Sequence, residues 1–230
     1  MPFIGKGALV TWHDVTGDGE ADYNRWHAHE HLAERVAIPG FRRGFRYVAI
    51  EGGPRYFVIY DVDDVSTLRS EAYVDRLDHP TPWTIKTASC LRNVSRTSCR
   101  VTASSGAGTG GFLLTLRLSP ARGQDVILRH WLADQALPQL AKWPGLVGAA
   151  LVEGDPAASQ LETAEKRLRG HPDAIADWVI LLEGYDSGAL KTVRDGSLSA
   201  GNLRERGAGP APQAGIYRLL HCLSGVDLTA

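Results

Sequence analysis

The sequence predicts an α+β chain made of two ferredoxin-like βαββαβ units whose sheets pack face to face. Three observations carry this. A stretch of small, flexible residues, Ser104 to Gly111, divides the chain. Each side of it reads strand, helix, strand, strand, helix, strand, the order of the split βαβ unit. The first helices align at a constant offset of 105 residues, so that Trp26, Ala28, Leu32 and Pro39-Gly40 recur as Trp131, Ala133, Leu137 and Pro144-Gly145.

In the first half, ALVTWHDV (8–15) alternates as a strand and leads into a helical pattern from Asp22 to Ala37, which Pro39-Gly40 ends. FRYVAIEG (45–52) and RYFVIYDV (55–62) read as a strand pair, followed by a short helix near 64–77. His79-Pro80-Thr81-Pro82-Trp83 reads as a rigid turn into a closing strand near 85–100. The second half repeats this with strands at 112–119, 149–154, 177–184 and 214–224, and helices at 124–142 and 186–194. It adds an insertion at 155–173, rich in Ala, Glu, Lys and Arg and suited to an extra helix, and a Gly/Pro-rich loop at 195–213. The expected organisation is therefore a first unit at 1–103, a linker at 104–111 and a second unit at 112–230.

One such unit covers a single face of its sheet with helices, so two units bury their bare faces against each other. Strand phase points Val10 and Trp12, aligned with Leu114 and Leu116, toward the helices. Thr11 and His13, aligned with Thr115 and Arg117, then point between the sheets. There they line a small polar cavity or pair with acids such as Asp61 and Glu183, because an unpaired buried polar group costs ~1–3 kcal/mol.

The composition is that of a packed globular protein: 230 residues, 43% hydrophobic, 22% charged, net charge −1. No positive field exists to attract nucleic acid or an anionic membrane surface. The first residues lack a basic region followed by a long apolar run, and no stretch reaches the ~18 apolar residues that span a bilayer. Three cysteines without metal-type spacing read as free thiols, which implies a cytoplasmic setting.

Tyr23-Asn24-Arg25-Trp26-His27-Ala28-His29-Glu30-His31-Leu32 after a strand, then Pro39-Gly40-Phe41 and Arg46-Tyr47, resembles the dimeric α+β barrel superfamily. Within it, the segment is similar to the EthD-like and stress-responsive barrel proteins. The resemblance covers 1–100 well and the second half in outline. It implies an intramolecular dimeric α+β barrel. That superfamily spans cofactor-free monooxygenases, isomerases, cyclases, haem peroxidases and proteins without known activity, so it constrains fold more than function. No haem-ligand motif matches, and no cofactor is expected.

On an α-helix, Asn24, His27 and His31 share one stripe and Trp26 with Glu30 a neighbouring one, while His29 stands apart. His27 and His31 have the i, i+4 spacing of two metal ligands, but this is not HExxH. At the 105-residue offset the stripe becomes Arg129, Leu132 and Ala136, so the first half is expected to carry a specialised site and the second to be structural. His31 is the first acid/base candidate, since a histidine titrates near neutrality, with Glu30 or Asn24 orienting it and His13 second. Trp26, His27, Tyr47, Tyr60, Trp83 and Arg117 are the candidate substrate-binding residues. Tyr56 is a further candidate aromatic wall, while His130, His171 and His221 have no constellation around them. Thr16 to Glu20 lacks the ligand series of a calcium loop, and Gly106 to Gly111 lacks the Lys-Ser/Thr partner of a phosphate cradle.

These features point to a cofactor-independent enzyme of the EthD-like type performing proton-transfer, isomerase or monooxygenase-like chemistry on a hydrophobic or aromatic carbonyl compound. A non-catalytic ligand-binding or stress-related barrel protein and a divalent-metal protein using His27 and His31 stay open beside it. The expected partner is a small hydrophobic or aromatic ligand, with a homodimer of the whole chain also open.

Overall fold

The structure is a computed structural model that describes residues 3–168, 170 and 173–228. His171 lies outside the described residues.

In the first half, β1 (Gly7–Val15) leads into α1 (Glu20–Trp26), a π-helical turn (His27–His31) and α2 (Leu32–Val36), followed by β2 (Phe41–Glu51) and β3 (Tyr56–Val62). Then come a 3-10 turn, α3 (Glu71–Asp78), α4 (Pro82–Ala88) and β4 (Leu91–Gly106). The second half runs β5 (Phe112–Leu118), α5 (Asp125–Trp131), a π-helical turn (Leu132–Ala136), α6 (Leu137–Leu140) and β6 (Leu146–Gly154). The insertion forms α7 (Pro156–Ser159) and α8 (Ala164–Leu168), before β7 (Trp178–Gly184), α9 (Ser187–Asp195), α10 (Ala200–Glu205) and β8 (Gln213–Ser224).

The eight strands close into a barrel in the order β1-β3-β2-β8-β5-β7-β6-β4. Each half contributes the ferredoxin-like order β4-β1-β3-β2 or β8-β5-β7-β6. Antiparallel pairing of β2 with β8 and of β4 with β6 joins the halves, so each sheet's outer strands are hydrogen-bonded to the other sheet. Helices cover the outside. The interior is packed with Val10, Trp12, Phe45, Tyr47, Phe57, Leu113, Val179, Leu181 and Tyr217.

This corrects the strand phase expected for β1. Val10 and Trp12 face the barrel interior, and Leu9, Thr11 and His13 face the helices. In β5 the helix side is Leu114, Leu116 and Leu118, as expected. The strands align at the same offset of 105 as the helices, which places Arg117 opposite Trp12 in the repeat rather than beside His13. Of the two expected acids, Asp61 is fully buried under Arg43 (Nη2 to Oδ2, 2.9 Å) and the backbone N–H groups of Ile4 and Gly5, and Glu183 accepts from the Tyr47 hydroxyl.

Three boundaries also differ. Pro82–Ala88 is a helix with Thr81 as its N-cap, since Pro at the first helical position suits the missing N–H, so the closing strand starts only at Leu91. β4 runs through Gly106, leaving 107–111 to connect the halves. The 195–213 segment contains α10, capped by Ser199.

Two local features recur in both halves. Gly40 and Gly145 both take φ near +91°, a left-handed conformation that stops the helix and that other residues adopt at a cost. Both π turns sit at the same place: Leu32 N–H reaches back five residues to His27 O, and Leu137 N–H to Leu132 O. The wider turn brings residues five apart together, so His31 lies against the Trp26 ring, 4.2 Å between centroids.

Candidate functional site

Between the first half's helices and its sheet lies a cavity of about 70 Å3, several times the ~10–15 Å3 that one water needs. β1 supplies Leu9, Thr11 and His13; the first helix supplies Tyr23, Trp26, His27, His31 and Arg35. Val58 and Tyr60 come from β3, Tyr73 and Leu77 from α3, and Leu91, Val94 and Arg96 from β4. Glu165 comes from α8, so the insertion of the second half closes the cavity of the first.

The insertion is held there by its backbone. Ala174 bridges Ser95 of β4, its N–H bonding Val94 O at 3.1 Å, and Ala164 N–H bonds the Asp78 carboxylate at 2.8 Å. Arg35, itself buried, donates to Glu165, and Arg96 donates to the Tyr73 hydroxyl.

All three histidines of the site pack through aromatic neighbours. His13 Nε2 shares a 2.6 Å hydrogen bond with the Tyr23 hydroxyl. The Tyr23 ring stands 5.8 Å from His27, and His27 stands 5.3 Å from His31. Behind Tyr23, the Arg46 guanidinium lies 4.7 Å from the Tyr23 and Tyr56 rings and donates to Asn24 Oδ1. Burial first, and then the Arg46 charge, hold the His27 pKa well below the usual 6.5, so this imidazole is neutral near pH 7. Burial pushes the Tyr23 and Tyr60 phenols up, and both stay protonated.

The equivalent wall of the second half is apolar. One hundred and five residues on, Thr11, His13, Tyr23, His27 and Arg35 become Leu116, Leu118, Leu128, Leu132 and Leu140, all buried in one cluster. Tyr60, opposite Leu9, corresponds to Leu182, opposite Leu114. Six wall positions that carry polar atoms in one half are leucine in the other.

Of the residues expected from sequence, His31, His13, His27, Trp26 and Tyr60 meet at this cavity. The others stand elsewhere. Glu30 accepts from Thr81 Oγ1 at 2.6 Å, and Asn24 is exposed and bonded to Arg46 and Tyr56. Trp83 packs behind Trp26 and Tyr23. Tyr47 is enclosed in the barrel, and Arg117 lies 4.8 Å over the Trp12 ring, on the opposite side of the sheet from the cavity. Among the described residues no three His, Cys, Asp or Glu groups gather to hold a metal ion. Sequence reasoning missed Tyr23, Arg35, Tyr73, Arg96 and Glu165. The first two were visible as Tyr-to-Leu and Arg-to-Leu differences at the repeat offset. Among the described residues no helix is long and apolar enough to cross a membrane.

No protein-family profile and no curated sequence matches the chain. Solved structures do. An anthrone oxidase-like protein superposes with a TM-score of 0.67 at 13% identity, covering 98% of this chain and 96% of that one. A suspected monooxygenase from Fusobacterium nucleatum gives 0.62 at 10% identity over 96% and 95%. Another from Lactobacillus acidophilus gives 0.60 at 7% over 96% and 97%.

Proposed function

We propose that this chain, a dimeric α+β barrel folded from a single polypeptide, binds a small aromatic carbonyl compound in the first-half cavity and moves a proton on it with no resident cofactor. The observation that carries the reading is the contrast between the halves. A wall needed only for packing would be served by leucine, as the second half is. Each buried leucine there contributes ~1.5–3 kcal/mol, and the first half forgoes that at six positions for two imidazoles, two phenols, an arginine and a threonine around a void.

The step is abstraction of a proton from a carbon that the carbonyl acidifies, directly or through a conjugated ring. The C–H electrons pass into an enolate and the proton passes to the His31 imidazole. Trp26 fixes the plane of that ring, and His13 with Tyr23 forms a second proton-carrying pair across the cavity. This step is common to isomerisation and to oxygenation without a cofactor, and so it suits the suspected monooxygenases and the anthrone oxidase-like protein that share the fold.

The test is hydrogen–deuterium exchange at the α-carbons of 2-tetralone and at the C10 methylene of anthrone, followed by NMR in deuterated buffer. The protein is expected to accelerate exchange, and His31→Ala to remove about tenfold or more of that acceleration. Exchange unaffected by His31→Ala overturns the reading. Saturable binding without any exchange favours a ligand-binding barrel instead.

A further inference from the structure

We propose that the ligand of this cavity carries an acidic oxygen, a carboxylate or an acidic phenol, which Arg35 and Tyr60 receive. This rests on the cavity being a binding site, as proposed above, and not on His31 performing chemistry.

Arg35 is 3% exposed, and its guanidinium is used on one side only: Nη2 donates to Glu165, while Nη1 is buried with no hydrogen-bond partner. The Tyr60 hydroxyl, on a residue also 3% exposed, is buried without a partner as well. Both residues line the same cavity. Buried polar atoms are nearly always bonded, and each one left alone costs ~1–3 kcal/mol. Two such atoms facing one void mark a place where a ligand atom completes the set.

The identity of those atoms gives the ligand's chemistry. A guanidinium can only donate, and the Tyr60 phenol stays protonated and offers its O–H. The missing group is therefore an acceptor, and beside a cation an anionic oxygen makes the shorter and stronger bond. Among the described residues the charged groups on the wall agree: Arg35 and Arg96 against the carboxylate of Glu165. Glu34, next to Arg35 in sequence, is drawn away by Arg76 at 3.0 Å. His27, held neutral, adds no charge. The second half retains neither donor, with Leu140 and Leu182 in their places.

Glu165 is then the resident counter-ion of a cation that the ligand shares. Because it sits on the insertion, neutralising it raises the positive potential of the cavity without touching the wall residues of the first half.

The experiment is calorimetric titration of the full chain with two matched pairs, benzoate against benzamide and 4-nitrophenolate against 4-nitroanisole. The proposal expects at least one anion to bind about tenfold or more tighter than its neutral partner. Tyr60→Phe, which deletes only a partnerless hydroxyl, should weaken that anion several-fold and by more than it weakens the neutral compound. Glu165→Gln should tighten it. Preference for benzoate assigns a carboxylate ligand, and preference for nitrophenolate an acidic phenol. Equal binding of anion and neutral analogue, no saturable binding of either anion, or a Tyr60→Phe protein with unaltered anion affinity overturns the proposal. Loss of α-proton exchange on His31→Ala, or its persistence, leaves these affinities unaffected, so the two readings fail separately.

Discussion

His27 and Leu132 occupy one position twice: each is the first residue of a five-residue π turn, 105 residues apart, and each is buried against its own half's sheet. Leu132 completes a leucine cluster, while His27 borders a void with its Nδ1 lacking a hydrogen-bond partner.

Writing the second half's residue into the first should therefore stabilise the protein and damage the site. His27→Leu removes a partnerless buried polar atom and fills part of the cavity. An increase of about 1 kcal/mol in unfolding free energy is expected, together with lost ligand affinity. Urea denaturation beside the titrations described above measures both.

The same histidine makes stability depend on pH. Its folded pKa lies well below 6.5, so on acidification the unfolded chain takes up a proton that the folded chain refuses. Its stabilising contribution is full above pH 6.5 and declines as pH falls below it, by up to ~1.4 kcal/mol per pH unit. His221, shifted down by burial and by Arg46, adds in the same direction. Unfolding midpoints at pH 7.5 and pH 5 should show this loss, and His27→Leu should flatten the slope.

Asp61 should matter to the fold and not to the cavity. Its fully buried carboxylate is held by Arg43 and by two backbone N–H groups inside the barrel. Asp61→Ala removes the buried acceptor shared by Arg43 and two backbone N–H groups and is expected to cost ~3–5 kcal/mol. Thermal unfolding would record it, with ligand affinity retained by the fraction that stays folded.

Gly40→Ala and Gly145→Ala should each destabilise by more than about 1 kcal/mol. Both sites have left-handed φ, and an added Cβ would stand 2.7 Å from Thr67 Cγ2 or 2.5 Å from Ala189 Cβ. Similar losses in the two variants would show that the halves use the stop equally.

The repeat was legible because its markers are residues that packing or turn geometry demands: Trp26 and Trp131, Leu32 and Leu137, Pro-Gly twice. The face on which β1 buries Trp12 was not legible. Both sides of a barrel strand are covered here, so Val10 and Trp12 on one side and Leu9 on the other look alike, and alternation does not say which side is inside. The histidine cluster was readable as a helical stripe. The π turn that sets Trp26 against His31 leaves no mark in hydrophobic period. Nothing local in the sequence sets Arg35 or Arg96 at a cavity, and Glu165 belongs to a segment that acts on the other half of the chain.

An assembly of two identical subunits must live with every alteration in duplicate: a leucine that improves one wall spoils its mate as well. The ring closed by β2 with β8 and β4 with β6 keeps that two-fold architecture while releasing it from the constraint, because its halves are written separately in one polypeptide. One half is free to become ballast, and to lend a surplus segment as a roof for its neighbour. Lopsidedness of this kind is denied to any symmetric pair.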